Sequence, residues 1–367
     1  MLSSRFFREG KAVFLRRTGI VKDQRYLSHG LRYHPESPAR LEAIYAMIEQ
    51  PDMAGHFTEI APRFADGKEI ERIHNPAYIE LVASTVGKSH FYLDPDTETT
   101  PESYDTARLA VGGLFNAIDN VMTGQVDNAF AFVRPPGHHA GENEAAGFCL
   151  FNNVALGAMH AIAKYHLNRI LIVDWDLHHG NGTADIFYND NRVLYFSTHQ
   201  SPAYPGTGAI KEIGRGPGKG YTINVPLRPG MDNAQYVKIY RRLLTPVALA
   251  FKPELILVSA GFDIYYQDPL GEMKVTPRGF AYLTRILMDI ADACCQGRLV
   301  LALEGGYHIE GITESVKMVL KELRDETHVP EEELFRIENE VEERFSPTNL
   351  VINSVIEEIE PLWRVFK

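Results

Sequence analysis

Cysteine is scarce in this 367-residue chain: Cys149 stands alone, and Cys294 and Cys295 are adjacent. That spacing offers no disulfide framework of the secreted kind, so a reducing compartment is expected. Long apolar runs are absent as well, which argues against a membrane-spanning helix. At the N-terminus Arg5, Arg8, Lys11, Arg16 and Arg17 interrupt short apolar pieces, without the uninterrupted apolar core of a signal peptide. Excess positive charge is missing too. A formal charge of -11 speaks against direct binding to nucleic-acid backbones, which calls for a basic face. Together these absences lead to the expectation of a soluble, cytoplasmic protein without membrane contact. No Pro/Gly/Ser-rich linker, internal repeat or low-complexity tract divides the sequence.

What is present matches a globular protein with a sizeable core, at 45% hydrophobic and 23% charged residues. Short apolar runs read as buried strands at Ala129 to Val133, Ile170 to Asp174, Val193 to Phe196, Thr222 to Val225, Leu255 to Ser259 and Leu299 to Leu303. Helical spacing occupies Ser103 to Met122, Asn153 to Tyr165 and Pro277 to Cys294. This alternation predicts an α/β fold: a single domain with an open, mainly parallel sheet and helices on both faces. The expected organisation is one domain over residues 1–367, its core motifs in 20–320, followed by a Glu-rich helical extension over 330–367. The stretch Glu331 to Glu343 reads as a solvated helix packed on the outside of the domain.

Chemistry concentrates where these strands end. The run Ile170 to Val173 is followed by Asp174, Asp176 and His178, which share a face if the chain stays extended. Two carboxylates and an imidazole would hold an ion with open positions, as a metal that activates water requires. Asp263, which ends its own strand, is the natural third ligand beside Asp176 and His178. Zinc leads the candidates, with iron(II), cobalt or manganese as alternatives. His138 and His139 follow Pro135-Pro136-Gly137 in a loop where both rings can face a pocket and transfer protons. Asp174 and Asn181 are the candidates for orienting them. Tyr307, after two glycines, could aim its phenol at a developing oxyanion. In open α/β sheets ligands bind beyond the carboxyl ends of strands, so these fragments are expected to form one pocket.

The motifs resemble the histone deacetylase and acetylpolyamine amidohydrolase family. They read Arg134-Pro-Pro-Gly-His138-His139, Gly147-Phe148-Cys149-Leu-Phe-Asn-Asn153, Asp174-Trp-Asp176-Leu-His178-His-Gly-Asn-Gly-Thr183, Tyr204-Pro-Gly-Thr-Gly208, Ala260-Gly-Phe-Asp263 and Glu304-Gly-Gly-Tyr307. Asn181 and the segment His34-Pro35-Glu36 make it similar to the class II type and its bacterial relatives. The resemblance implies zinc on Asp176, His178 and Asp263, a general base at His139 with its partner His138, and Tyr307 polarising the acyl carbonyl. It also implies a narrow tunnel walled by Gly147-Phe148 and Tyr204, with Leu270 at the rim and Arg40 near an internal acetate channel. Two potassium sites are implied as well. One uses Asp174, Asp176, His178, Ser197 and Thr198, and the other Phe187, Asp190, Val193 and Tyr221.

Polyamine specialists of this type carry an acid at the rim, where this chain has Leu270, with Glu272 two positions later. Asp94 and Asp96 are the acidic candidates for gripping the backbone of a substrate. The sequence thus predicts a zinc-dependent amidohydrolase that removes acetyl or related acyl groups from lysine-like amines, with potassium as a further ion. The alternatives are a deacetylase of acetylpolyamines or other small amides, and a catalytically silent acyl-binding protein. Oligomeric state is left open.

Overall fold

The computed structural model describes residues 15–340 and 346–366. Arg5, Arg8 and Lys11, the end of the Glu331 to Glu343 stretch and the last residue of the extension lie outside them. Ten strands are described, running in chain order as β1 (Thr18–Val21), β2 (Thr58–Glu59), β3 (Phe91–Asp94), β4 (Thr97–Thr99), β5 (Asn128–Ala131), β6 (Ile170–Asp174), β7 (Val193–Gln200), β8 (Thr222–Leu227), β9 (Leu255–Ala260) and β10 (Leu299–Leu303). Eight of them form one sheet in the order β2-β1-β5-β10-β9-β6-β7-β8, and β3 pairs with β4 in a separate antiparallel hairpin. Every pairing in the large sheet is parallel.

Strands β5, β6, β7, β9 and β10 are buried along their whole length, as expected where helices cover both faces of a parallel sheet. The helices Ser103–Met122 and Asn153–Tyr165 pack together over the sheet, and Ala39–Ile48, Pro277–Cys295 and Ile309–Leu323 form a second packed group. All six expected strands are present, with ends shifted by up to four residues. Four further strands were not anticipated. β1 is only four residues long and contains Gly19, and β2 is two exposed residues, so neither carries a readable period.

The register places the site. Ala131 of β5 pairs with Ala302 of β10, Ala302 with Ser259 of β9, and Ser259 with Asp174 of β6. One rung therefore crosses the four central strands, and the segments carrying Arg134 to His139, Asp174 to His178, Gly261 to Asp263 and Glu304 to Tyr307 all leave from the same edge.

The Glu-rich helix lies on the outside of the domain, mostly exposed and packed through two apolar residues, as the sequence suggested. Over Glu331–Asn339 it buries Leu334 and Ile337, and Glu331, Glu333 and Glu338 are paired. Arg241 reaches Glu331 at 2.8 Å and Glu338 at 2.7 Å, and Arg278 reaches Glu333 at 2.8 Å. The acidic run is a docking face for arginines that lie far away in the chain. A second helix, Pro347–Trp363, follows and is tied down by Trp363 Nε1 donating to the Gly220 carbonyl at 2.8 Å. Among the described residues no helix is long and apolar enough to cross a membrane.

Candidate active site

Asp176 and Asp263 are buried, His178 is partly so, and their ligand atoms lie within 4.8 Å of one another. His178 Nδ1 sits 3.2 Å from Asp176 Oδ1 and 3.1 Å from Asp263 Oδ2. Backbone amides fix the carboxylates, with Leu177 N donating to Asp263 Oδ1 and Gly305 N to Asp176 Oδ2, both at 2.8 Å. The glycines around them are obligatory. A Cβ on Gly305 would lie 2.5 Å from Asp263 Oδ2, and one on Gly261 would lie 2.1 Å from Asp176 Oδ2. No Lys or Arg among the described residues forms an ion pair with either acid. Two buried carboxylates converging on one imidazole nitrogen, with no arginine or lysine to neutralise them, fit a divalent cation of the zinc type.

The two adjacent histidines are distinguished by their partners. His138 Nδ1 lies 3.0 Å from Asp174 Oδ2, and His139 Nδ1 lies 2.8 Å from Asn181 Oδ1. Burial disfavours charge on His138, but Asp174 and Asp176 outweigh it and push its pKa up to about 10. On His139 burial acts first, and the neighbouring His138 and His178 add to it, holding the pKa well below the ordinary value. Their ring centroids are 4.0 Å apart, so a ring favouring the charged form and a ring favouring the neutral form sit side by side. Asp174 is held further by Tyr195, whose hydroxyl donates to Oδ2 at 3.0 Å.

Tyr307 is half-buried, its ring 6.1 Å from Phe148 and 5.2 Å from the guanidinium carbon of Arg40. Burial, followed by the carboxylates of Asp263 and Asp176, drives its phenol well above the ordinary pKa, so it stays a donor. Its backbone is pinned by a residue to which the sequence assigned no role. Asp268 Oδ2 accepts from Tyr307 N at 2.6 Å and His308 N at 3.1 Å, while Oδ1 accepts from Leu270 N at 3.0 Å. One carboxylate thus joins the rim to the phenol.

The tunnel residues also come together. Tyr204 lies 5.0 Å from His139 and 6.2 Å from His178 by ring centroids. Gly147 N donates to Asp96 Oδ1 at 3.1 Å, so Asp96 supports the Phe148 wall, while Asp94 Oδ1 accepts from Asp96 N at 2.9 Å. Leu270 is 41% exposed, as a rim residue should be. Arg40, fully buried, donates to the carbonyls of Gly306 and Glu304 and to Glu36.

Of the residues implied for potassium, Asp174 pairs with Ser197 across β6 and β7, and the buried Thr198 Oγ1 has no hydrogen-bond partner. In the second set the Asp190 carboxylate is taken by Arg192 at 2.6 Å, which leaves backbone oxygens as the available donors. A further cluster of potential ligand atoms, His138, Cys149 and Glu304, is already committed. Glu304 accepts from Gly137 N at 2.6 Å and Ser259 Oγ at 3.1 Å, and burial keeps the Cys149 thiol protonated.

The histone deacetylase domain matches residues 34–323. The chain belongs to the histone deacetylase domain family. It is 40% identical to the histone deacetylase HDA1 of Candida albicans over 343 residues, covering 84% of this chain and 41% of that protein. It is 40% identical to a probable deacetylase of Archaeoglobus fulgidus over 299 residues, covering 80% and 82%, and 42% identical to the polyamine deacetylase HDAC10 of Homo sapiens over 300 residues, covering 78% and 44%. The chain therefore spans less than half the length of the Candida and human relatives. Among solved structures the HDA15 HD domain superposes with a TM-score of 0.86 at 36% identity, over 95% of this chain and 96% of that one.

Proposed function

We propose that this member of the family is a zinc-dependent deacetylase acting on the acylated amine of a lysine-like side chain. The observation that carries the proposal is the contrast in partners of the paired histidines, His138 on Asp174 and His139 on Asn181, beside the triad Asp176, His178 and Asp263. Zinc held by that triad would supply Lewis acidity toward the acyl oxygen and toward water.

The protein's own groups account for the proton traffic. With Nδ1–H donating to Asn181, neutral His139 presents a free Nε2 that takes a proton from the attacking water. His138 keeps its charge against Asp174 and stabilises negative charge building on the acyl group. The Tyr307 hydroxyl donates to the acyl oxygen as it becomes an oxyanion. When the carbon–nitrogen bond breaks, the proton gained by His139 passes to the leaving amine, and the acyl group departs as the acid. Phe148 and Tyr204 shield the site from bulk water. Potassium at the two backbone-lined positions belongs to the same proposal. All the expected catalytic groups converge, so the silent acyl-binding reading is not favoured.

The exposed Leu270 offers no carboxylate to a second ammonium group, which favours acyl-lysine over acetylpolyamine. The test is steady-state turnover of acetyl-lysine peptides against acetylated diamines, with metal content measured on the same sample. Expected are higher kcat/KM for the peptides, loss of activity on chelation and recovery with zinc. Preference for the diamines would overturn the substrate assignment, and full activity without metal would overturn the mechanism.

A further inference from the structure

The segment that carries the Tyr307 phenol is built from the most flexible residues available. Gly305 and Gly306 precede it, and Gly306 sits at φ +110°, a conformation that glycine adopts freely. A stiffer residue does not fit, because a Cβ on Gly306 would lie 2.6 Å from Phe262 Cβ. Yet a hydroxyl that donates to a developing oxyanion must be held at about 2.7–3.1 Å from it. The stiffness has to come from outside the segment. On the carbonyl side Arg40 supplies it, by donating to the Glu304 and Gly306 oxygens. On the amide side the acceptor is Asp268.

Asp268 is 6% exposed, and among the described residues its carboxylate is held by three backbone amides, those of Tyr307, His308 and Leu270. A buried carboxylate is a costly way to make a turn. The turn itself needs only Oδ1, which accepts from Leu270 N two residues on, as Asn or Ser would do equally well. Nor does the following helix, Ile309–Leu323, require the second oxygen as its cap, since the His308 side chain already accepts from Gly311 N. Oδ2 is surplus to both tasks. It is spent on Tyr307 N, at 2.6 Å the shortest of the three contacts, and on His308 N at 3.1 Å.

We infer that Asp268 is a positioning residue for the phenol: it clamps the Tyr307 main chain from the amide side and so fixes where the hydroxyl meets the acyl oxygen. The inference rests on the deacetylase reading above. The test is a double-mutant cycle on the metal-loaded full chain, comparing Asp268→Ala, Tyr307→Phe and the two together by single-turnover and steady-state kinetics with an acetyl-lysine peptide. Asp268→Ala should lower kcat about 10- to 100-fold with KM changed less than about threefold. In the Tyr307→Phe background the same change should cost less than about twofold, because no hydroxyl is left to misplace. Asp268→Asn, which keeps an acceptor oxygen, should lose only about threefold, and it carries the cycle if the alanine variant melts below the assay temperature. Amide hydrogen exchange at Tyr307 and His308 reads the clamp without turnover and should quicken about tenfold or more in Asp268→Ala. Equal losses in the two backgrounds, a change confined to KM, or unaltered exchange would overturn the inference and leave the deacetylase reading standing. A wild type inactive on every acylated amine would overturn both.

Discussion

Arg40 and Gly306 are joined by a 2.6 Å hydrogen bond from the guanidinium Nε to the glycine carbonyl. The same guanidinium donates to the Glu304 carbonyl at 2.5 Å and to Glu36 at 2.8 Å, so a buried cation holds the strand exit that carries Tyr307. Arg40→Met removes that hold and leaves two carbonyls and part of a buried carboxylate unpartnered. A loss of about 3–5 kcal/mol in denaturant unfolding is expected, together with a fall in kcat larger than the change in KM.

Tyr307→Phe removes one hydroxyl and leaves the ring contacts with Phe148 and Arg40 in place. Stability should barely change, whereas kcat should drop by about 10²–10³, the usual cost of losing one oxyanion donor. Single-turnover kinetics on an acetyl-lysine peptide, run beside a thermal melt, separates the two effects.

Asn181 accepts from the base without charging it. In Asn181→Asp a carboxylate faces His139 Nδ1 and favours the imidazolium, raising its pKa by about one unit or more. The base must be deprotonated to act, so the acidic limb of the kcat/KM profile should move to higher pH by the same amount. An unmoved limb would remove His139 from the role of base.

His29 and His74 are both lowered from 6.5 to about 4, burial being the chief cause. His74 Nε2 accepts from Asn152 N at 2.9 Å, which requires the neutral ring. Their folded pKa values are depressed, so the stabilising contribution is complete above pH 6.5 and is lost as pH falls toward 4. Each ring contributes up to about 1.4 kcal/mol per pH unit in that window. Melting temperature should decline as pH falls below 6.5, and His74→Gln should make that decline shallower.

The central strands and the triad were legible because a parallel sheet advertises itself as short apolar runs, and its ligand-binding groups follow those runs directly. Asp174 ends β6, Asp176 and His178 follow directly behind it, and Asp263 lies three residues past β9. Asp268 was not legible in this way. An Asp followed by Pro reads as a turn, and its grip on Tyr307 exists only because β9 and β10 are neighbours in the sheet. The hairpin β3–β4 and the short β1 and β2 lack the length over which a period shows. The pairing of Glu331, Glu333 and Glu338 with Arg241 and Arg278 was equally hidden, since charge patterning within a helix carries no record of partners far off in sequence.

The place of β10, inserted between β5 and β9, has a temporal consequence. Among the described residues β10 is the most C-terminal strand, and it alone links the β2-β1-β5 half of the sheet to the β9-β6-β7-β8 half. A nascent chain that has not yet emerged past Leu303 holds two unjoined half-sheets with bare inner edges. The strand edge that carries the site therefore closes late, as a single event, and those bare edges are where a ribosome-stalled or truncated product is most exposed to self-association.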